Sequence, residues 1–165
     1  MKCAKIARVT PLIFGYNITD MKNEYKKMSD YRFKHSAEVG RLMEENARSR
    51  GWSEQKCREM YLLGYLHDLG YEYTKEGEDH AHIGGLLLKE CGYKYWKEVY
   101  HHGHPDEIDF SDESLLLNDA DMTVDAYDRR VGYDERLNDI GTRYGFDSFN
   151  YLESKRIVEV LKKRQ

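Results

Sequence analysis

Tyr61-Leu62-Leu63-Gly64-Tyr65-Leu66-His67-Asp68-Leu69-Gly70 is the stretch that decides the fold. An almost wholly apolar run ends on an imidazole next to a carboxylate, and a glycine follows two residues later. Upstream, Cys57, Met60, Tyr61 and Gly64 recur at helical spacing and Ser53 is placed to cap, so the run reads as the buried end of a helix that Gly70 stops. The His-Asp pair therefore lies at the interior end of a core helix. Two polar groups in such a place need partners, because burying an uncompensated charge costs several kcal/mol.

The flanking sequence repeats the helical pattern. Before the run, a helix is expected from a cap at Ser29 or Asp30 to about Arg50, with His35 one turn before Val39 on the face that carries Leu42, Met43 and Ala47; Gly51 ends it. After the run, residues 71–79 are polar and loop-like. Further helices are expected over about Asp79–Glu90, from Tyr93 into His101-His102, over Asp112–Asp128, near Asp134–Arg143 and over Ser148–Lys163. No β-hairpin pattern follows residue 29. The fold class is all-α: a single helical domain over 29–165, with a short irregular N-terminal extension over 1–28 in which Thr19 or Asp20 can cap a helix running from Met21 to Met28.

Composition narrows the function. At 165 residues there is room for one compact domain. A net charge of -4 supplies no broad basic field for nucleic acid. No apolar stretch is long enough to span a membrane, and the apolar run after Met1-Lys2-Cys3-Ala4-Lys5 is broken by Arg8 and Pro11, so no secretory leader is expected. Cys3, Cys57 and Cys91 form neither a disulfide framework nor a cysteine zinc site, and a cytoplasmic location is expected. The 7 histidines all fall between His35 and His104. Imidazoles on inward helix faces, with Asp68 and with Asp121 in Leu115-Leu116-Leu117-Asn118-Asp119-Ala120-Asp121, make a nitrogen and oxygen donor set that suits Fe, Mn, Co, Ni or Zn.

An isolated His35, the pair His67-Asp68 and a distant Asp121, each in helical context, resemble the HD-domain metal-dependent phosphohydrolase superfamily over roughly residues 30–128. Two further elements resemble its small bacterial two-metal members: His80-Ala81-His82-Ile83-Gly84-Gly85 and Val99-Tyr100-His101-His102. The resemblance implies one or two divalent ions. His35, His67, Asp68 and Asp121 would hold the first, and Asp68, His80 and His102 (with His101 as the alternative) the second. It implies hydrolysis of a phosphate ester or anhydride by metal-activated hydroxide, on a small phosphorylated substrate such as a nucleotide. Dinuclear-iron oxygenases and non-catalytic nucleotide-sensing modules of the same superfamily are the competing expectations, and a homodimer is expected from general frequency alone.

Other candidates carry two readings each. Glu72 can accept a proton or be solvated; Lys75 and Arg129 (with Arg130) can meet a phosphate or pair at the surface; His104 can reach substrate or occupy a plain turn. His82, about 200° around the helix from His80, belongs to the rim. Tyr93, Tyr95, Trp96 and Tyr100 are packing surface first and a base-stacking surface second. Two departures stand out from the resemblance. Tyr71 occupies the place where many members carry Lys, and Gly103-His104-Pro105 replaces the Gly-Tyr-Pro signature of cyclic-di-GMP phosphodiesterases.

Overall fold

The computed structural model describes residues 28–75, 78–107 and 111–164. The helix expected over Met21–Met28 lies almost wholly outside them. Seven α-helices and one short 3-10 turn make up the regular structure of the described residues, so the fold is all-α. In chain order they are α1 (Asp30–Ser49), α2 (Glu54–Leu66), the 3-10 turn (Leu69–Glu72), α3 (His80–Glu90), α4 (Trp96–His101), α5 (Asp112–Asp121), α6 (Tyr133–Tyr144) and α7 (Phe149–Lys162).

Helix starts follow capping chemistry. Ser53, Asp79, Ser111 and Ser148 accept from the backbone N–H groups of Lys56, His82, Ser114 and Tyr151, which satisfies donors the helices leave open. The fifth helix is shorter than its apolar spacing predicts: it ends at Asp121, not Asp128. Thr123 donates its hydroxyl back to the Asp119 carbonyl, and Asp125 Oδ1 accepts from the N–H groups of Tyr127 and Arg129. These short polar side chains offer the backbone a turn in place of a helix. Asp128 completes it in the left-handed region, and Val124 and Arg130 form an isolated antiparallel bridge.

Among the described residues, two apolar clusters hold the helices. The larger draws Val39, Met43, Met60, Leu63, Leu66, Leu88, Val99, Leu116 and Leu117 from α1 to α5. The smaller joins Met122 and Ile140 to Ile157, Val158 and Leu161, seating α7 on α6 and on the end of α5. Tyr93 and Tyr95 are buried in the larger cluster, so they are core rather than a stacking surface for a base. Helix contact in the larger cluster is close enough to require glycine. A Cβ on Gly64 would lie 2.8 Å from the Cα of Gly40, where α2 crosses α1. A Cβ on Gly70 would lie 1.8 Å from the His80 carbonyl oxygen, and one on Gly85 would lie 2.5 Å from the Tyr100 Cβ. Gly84-Gly85 thus serves close packing, with Gly84 against Gly70 and Gly85 against α4.

Candidate metal centre

The packing delivers six side chains to one place. His35 comes from the second turn of α1, and His67 and Asp68 from the residues just beyond α2. His80 opens α3, His102 follows the last residue of α4, and Asp121 closes α5. Three of the four imidazoles are fixed by backbone carbonyls. Nδ1–H of His67 donates to Gly64 O at 2.6 Å, that of His102 to Val99 O at 2.6 Å, and that of His35 to Asp125 O at 3.2 Å. In the neutral ring this leaves Nε2 as the lone-pair atom on each, the arrangement that orients histidine ligands in metal sites.

The Nε2 atoms converge on two carboxylate oxygens. Asp121 Oδ1 lies 2.9 Å from His35 Nε2 and 3.7 Å from His67 Nε2. Asp68 Oδ1 lies 3.5 Å from His67, 3.3 Å from His80 and 3.8 Å from His102. His80 and His102 bring their Nε2 atoms to 3.2 Å from each other. Ligands held 2.0–2.2 Å from an ion are separated by roughly 2.8–3.6 Å along the edges of an octahedron or tetrahedron. The observed spacings fall in or just above that range. His67 Nε2 is fully buried and has no hydrogen-bond partner among the described residues, although it points at two carboxylates. These residues fit a divalent ion: the donor set is nitrogen and oxygen, and the orphaned nitrogen is aimed at the gap an ion would fill.

The electrostatics follow from this crowding. Burial opposes charge on both carboxylic acids. For Asp68 the neighbours His67, His102, His80 and Arg32 outweigh it and hold the group well below the usual carboxylate range. For Asp121 the neighbours His35, His67 and Arg136 do the same. Burial also disfavours the charged ring of His67, but Asp68 and Asp121 win and raise it to about 9. At His80 burial wins over Asp68, and the ring is lowered below its ordinary value.

A cavity of about 520 Å³ opens above the cluster, with His35, Asp68, His80, His102 and Asp121 on its floor. Its walls contain residues that sequence reasoning passed over: Arg32, Arg136, Arg143 and Tyr144. Arg32 Nη1 donates to Asp68 Oδ2 at 3.3 Å, its Nη2 to the Tyr144 hydroxyl at 3.2 Å, and its guanidinium lies 3.4 Å from the centroid of the Tyr71 ring. Tyr71 in turn stacks on His80 with centroids 4.0 Å apart. Tyr71 is thus an aromatic that packs both the Arg32 guanidinium and the His80 ring in place.

Several expected site residues lie elsewhere. His101 turns away and meets Glu107 at 2.8 Å. Lys75 is exposed and lines no part of the cavity. Arg129 is exposed and paired with Asp125, whose carboxylate the local turn has already placed beside it. Glu72 is buried in the 3-10 turn, not solvated on a loop, and accepts from the Met28 N–H at 2.9 Å. His104 is no plain turn residue: it lines the cavity and donates Nε2–H to Asp79 Oδ2 at 2.8 Å, which raises its pKa. Asp79, His82 and His104 also form a tight group. However, the His82 and His104 rings stack within 18° of parallel, so their lone pairs run side by side instead of converging on one ion. Arg136 had one available signal, an arginine one turn before Ile140 on the apolar face of α6.

The family model of the HD domain matches residues 32–126, more than half of the chain and all six converging side chains. No curated protein and no solved structure matches the chain. Among the described residues no helix is long and apolar enough to cross a membrane. HD domains bind divalent metals and are largely metal-dependent phosphohydrolases, and the cluster of histidines and aspartates at the cavity floor lies within the matched span. The chain belongs to the HD domain family.

Proposed function

We propose that this protein is a metal-dependent phosphohydrolase that cleaves an ester or anhydride bond of a small phosphorylated metabolite, with a nucleotide as the preferred class. The observation that carries the reading is the convergence of four imidazole Nε2 atoms on the Oδ1 atoms of Asp68 and Asp121 at the floor of an arginine-walled cavity. His35, His67, Asp68 and Asp121 would hold one ion, and Asp68, His80 and His102 a second, drawn from Fe, Mn, Co, Ni or Zn. When bound, such an ion supplies Lewis acidity, lowering the pKa of water toward neutrality and offsetting phosphoryl charge.

The chain's own residues do the rest. Backbone carbonyls hold the imidazoles of His35, His67 and His102 in the tautomer that presents Nε2. Arg32 holds the outer oxygen of Asp68 and leaves Oδ1 facing the histidines. Arg32 also brings positive charge to the cavity wall, where phosphoryl oxygens need it. The cavity volume is within the range of small-ligand sites and suits a substrate of nucleotide size.

The test is metal analysis of the purified protein followed by a phosphate-release screen over nucleotides and other phosphate esters. The reading expects one or two transition-metal ions per chain, phosphate release with at least one substrate, and loss of both in Asp68→Ala and His67→Ala. Protein that holds no divalent ion overturns it. So does metal-loaded protein that releases no phosphate but consumes oxygen with a reduced iron centre.

A further inference from the structure

We propose that Arg136 is a phosphoryl-binding residue, grasping the substrate oxygens that do not face the metal ligands. The inference rests on the hydrolase reading above and goes beyond it, because Arg136 lies outside the residues the family model matches.

Arg136 sits in the first turn of α6 and is only 7% exposed, yet it lines the cavity. A guanidinium carries five N–H donors in a rigid fork. Here Nη1 reaches Asp139 Oδ2 at 2.9 Å and Nη2 makes a long 3.4 Å contact to Asp121 Oδ1. Nε is buried with no partner among the described residues. The contact to Asp121 falls on the same oxygen that faces His35 and His67, so an ion held by those groups competes for it.

Asp139 does not neutralise Arg136 alone, because it also binds Arg143 through both oxygens, at 3.0 and 2.8 Å. Arg143 lies two turns further along α6 and lines the same cavity. One carboxylate thus serves two guanidiniums on one wall. A buried cation with open donors is costly unless an anion completes it. A phosphoryl group on the cavity floor would supply that anion and accept from Nη2, the donor released when an ion takes Asp121 Oδ1.

The probe is inorganic phosphate, titrated calorimetrically into the metal-loaded full chain, with metal content measured on the same samples. R136Q is expected to weaken phosphate binding at least fivefold at unchanged metal content, with the substrate KM rising in step. R136K keeps the charge but loses the fork, and it is expected to recover part of the affinity. A loss smaller than fivefold in R136Q at full metal content overturns the proposal, and Arg136 is then only a tie between α6 and Asp121. Loss of metal together with phosphate in both variants also overturns it, since the residue would then act by positioning Asp121. If R136Q does not fold, R136K carries the test: phosphate binding equal to wild type overturns the proposal, and threefold or greater weakening supports it. Metal-loaded wild-type protein that neither binds nor releases phosphate sinks the hydrolase reading itself, a result separable from failure of Arg136.

Discussion

At the scale of single residues, the proton on His67 is the competitor of the metal. The ring is fully buried between Asp68 and Asp121, and those carboxylates raise it to about 9 from an ordinary 6.5. A group raised on folding contributes stability that is complete below its unfolded value and disappears as pH climbs through the folded one. For His67 that window runs from about 6.5 to about 9, and the shift corresponds to roughly 3 kcal/mol. Chelator-treated protein is therefore expected to lose stability in denaturant melts between pH 6.5 and 9.5. Metal-loaded protein should not lose it, because the ion takes the place of the proton. Uptake of metal at pH 7 should also release a proton, which calorimetry in buffers of different ionisation enthalpy will read. Parallel pH profiles for the metal-free and loaded protein would refute this account.

At the scale of elements, the site is a set of helix ends, and their mutual distance is fixed by glycines. His67 and Asp68 leave the end of α2, His80 begins α3, and Gly70 lies between them against the His80 carbonyl. Gly70→Ala puts a carbon into backbone that cannot rotate away, so α3 must shift and carry His80 with it. The expected result is a destabilisation of about 1–3 kcal/mol and weaker retention of metal during dialysis. Gly70→Ala protein with wild-type metal content would show that His80 is not needed to hold an ion. The helices were legible in the sequence because their signals are local: a capping Ser53, a stop expected at Gly70 where the helix in fact ends at Leu66 and a 3-10 turn takes in Gly70, and Val39 and Met43 repeating one turn apart. The end of α5 was not, because Val124 continued the apolar spacing of Leu117 and Asp121 while Thr123 and Asp125 closed a turn around their own backbone. The cavity arginines were hidden for another reason. Arg32 meets Tyr144 across 112 residues, and no local pattern records such a meeting.

At the scale of the whole molecule, two clusters divide the labour. The larger cluster, built from α1 to α5, holds every converging histidine and aspartate. The smaller one seats α7 against α6, from which Arg136, Arg143 and Tyr144 reach the cavity. Leu66 and Ile157 are each 1% exposed, one in each cluster. Truncating either to Ala removes comparable buried volume and should cost about 2–5 kcal/mol. The functional consequences should differ. Leu66→Ala loosens the residue directly before His67 and is expected to lower metal content after dialysis. Ile157→Ala loosens the wall and leaves the ligand helices packed. It is expected to keep its metal and raise the substrate KM several-fold, with the midpoint of thermal unfolding lowered by roughly 5–15 °C. The comparison discriminates because the two variants are matched in destabilisation: general fragility would reduce metal content in both. Metal loss in Ile157→Ala equal to that in Leu66→Ala would mean that the two clusters form one cooperative unit, with α6 and α7 as much a part of the metal centre as α2.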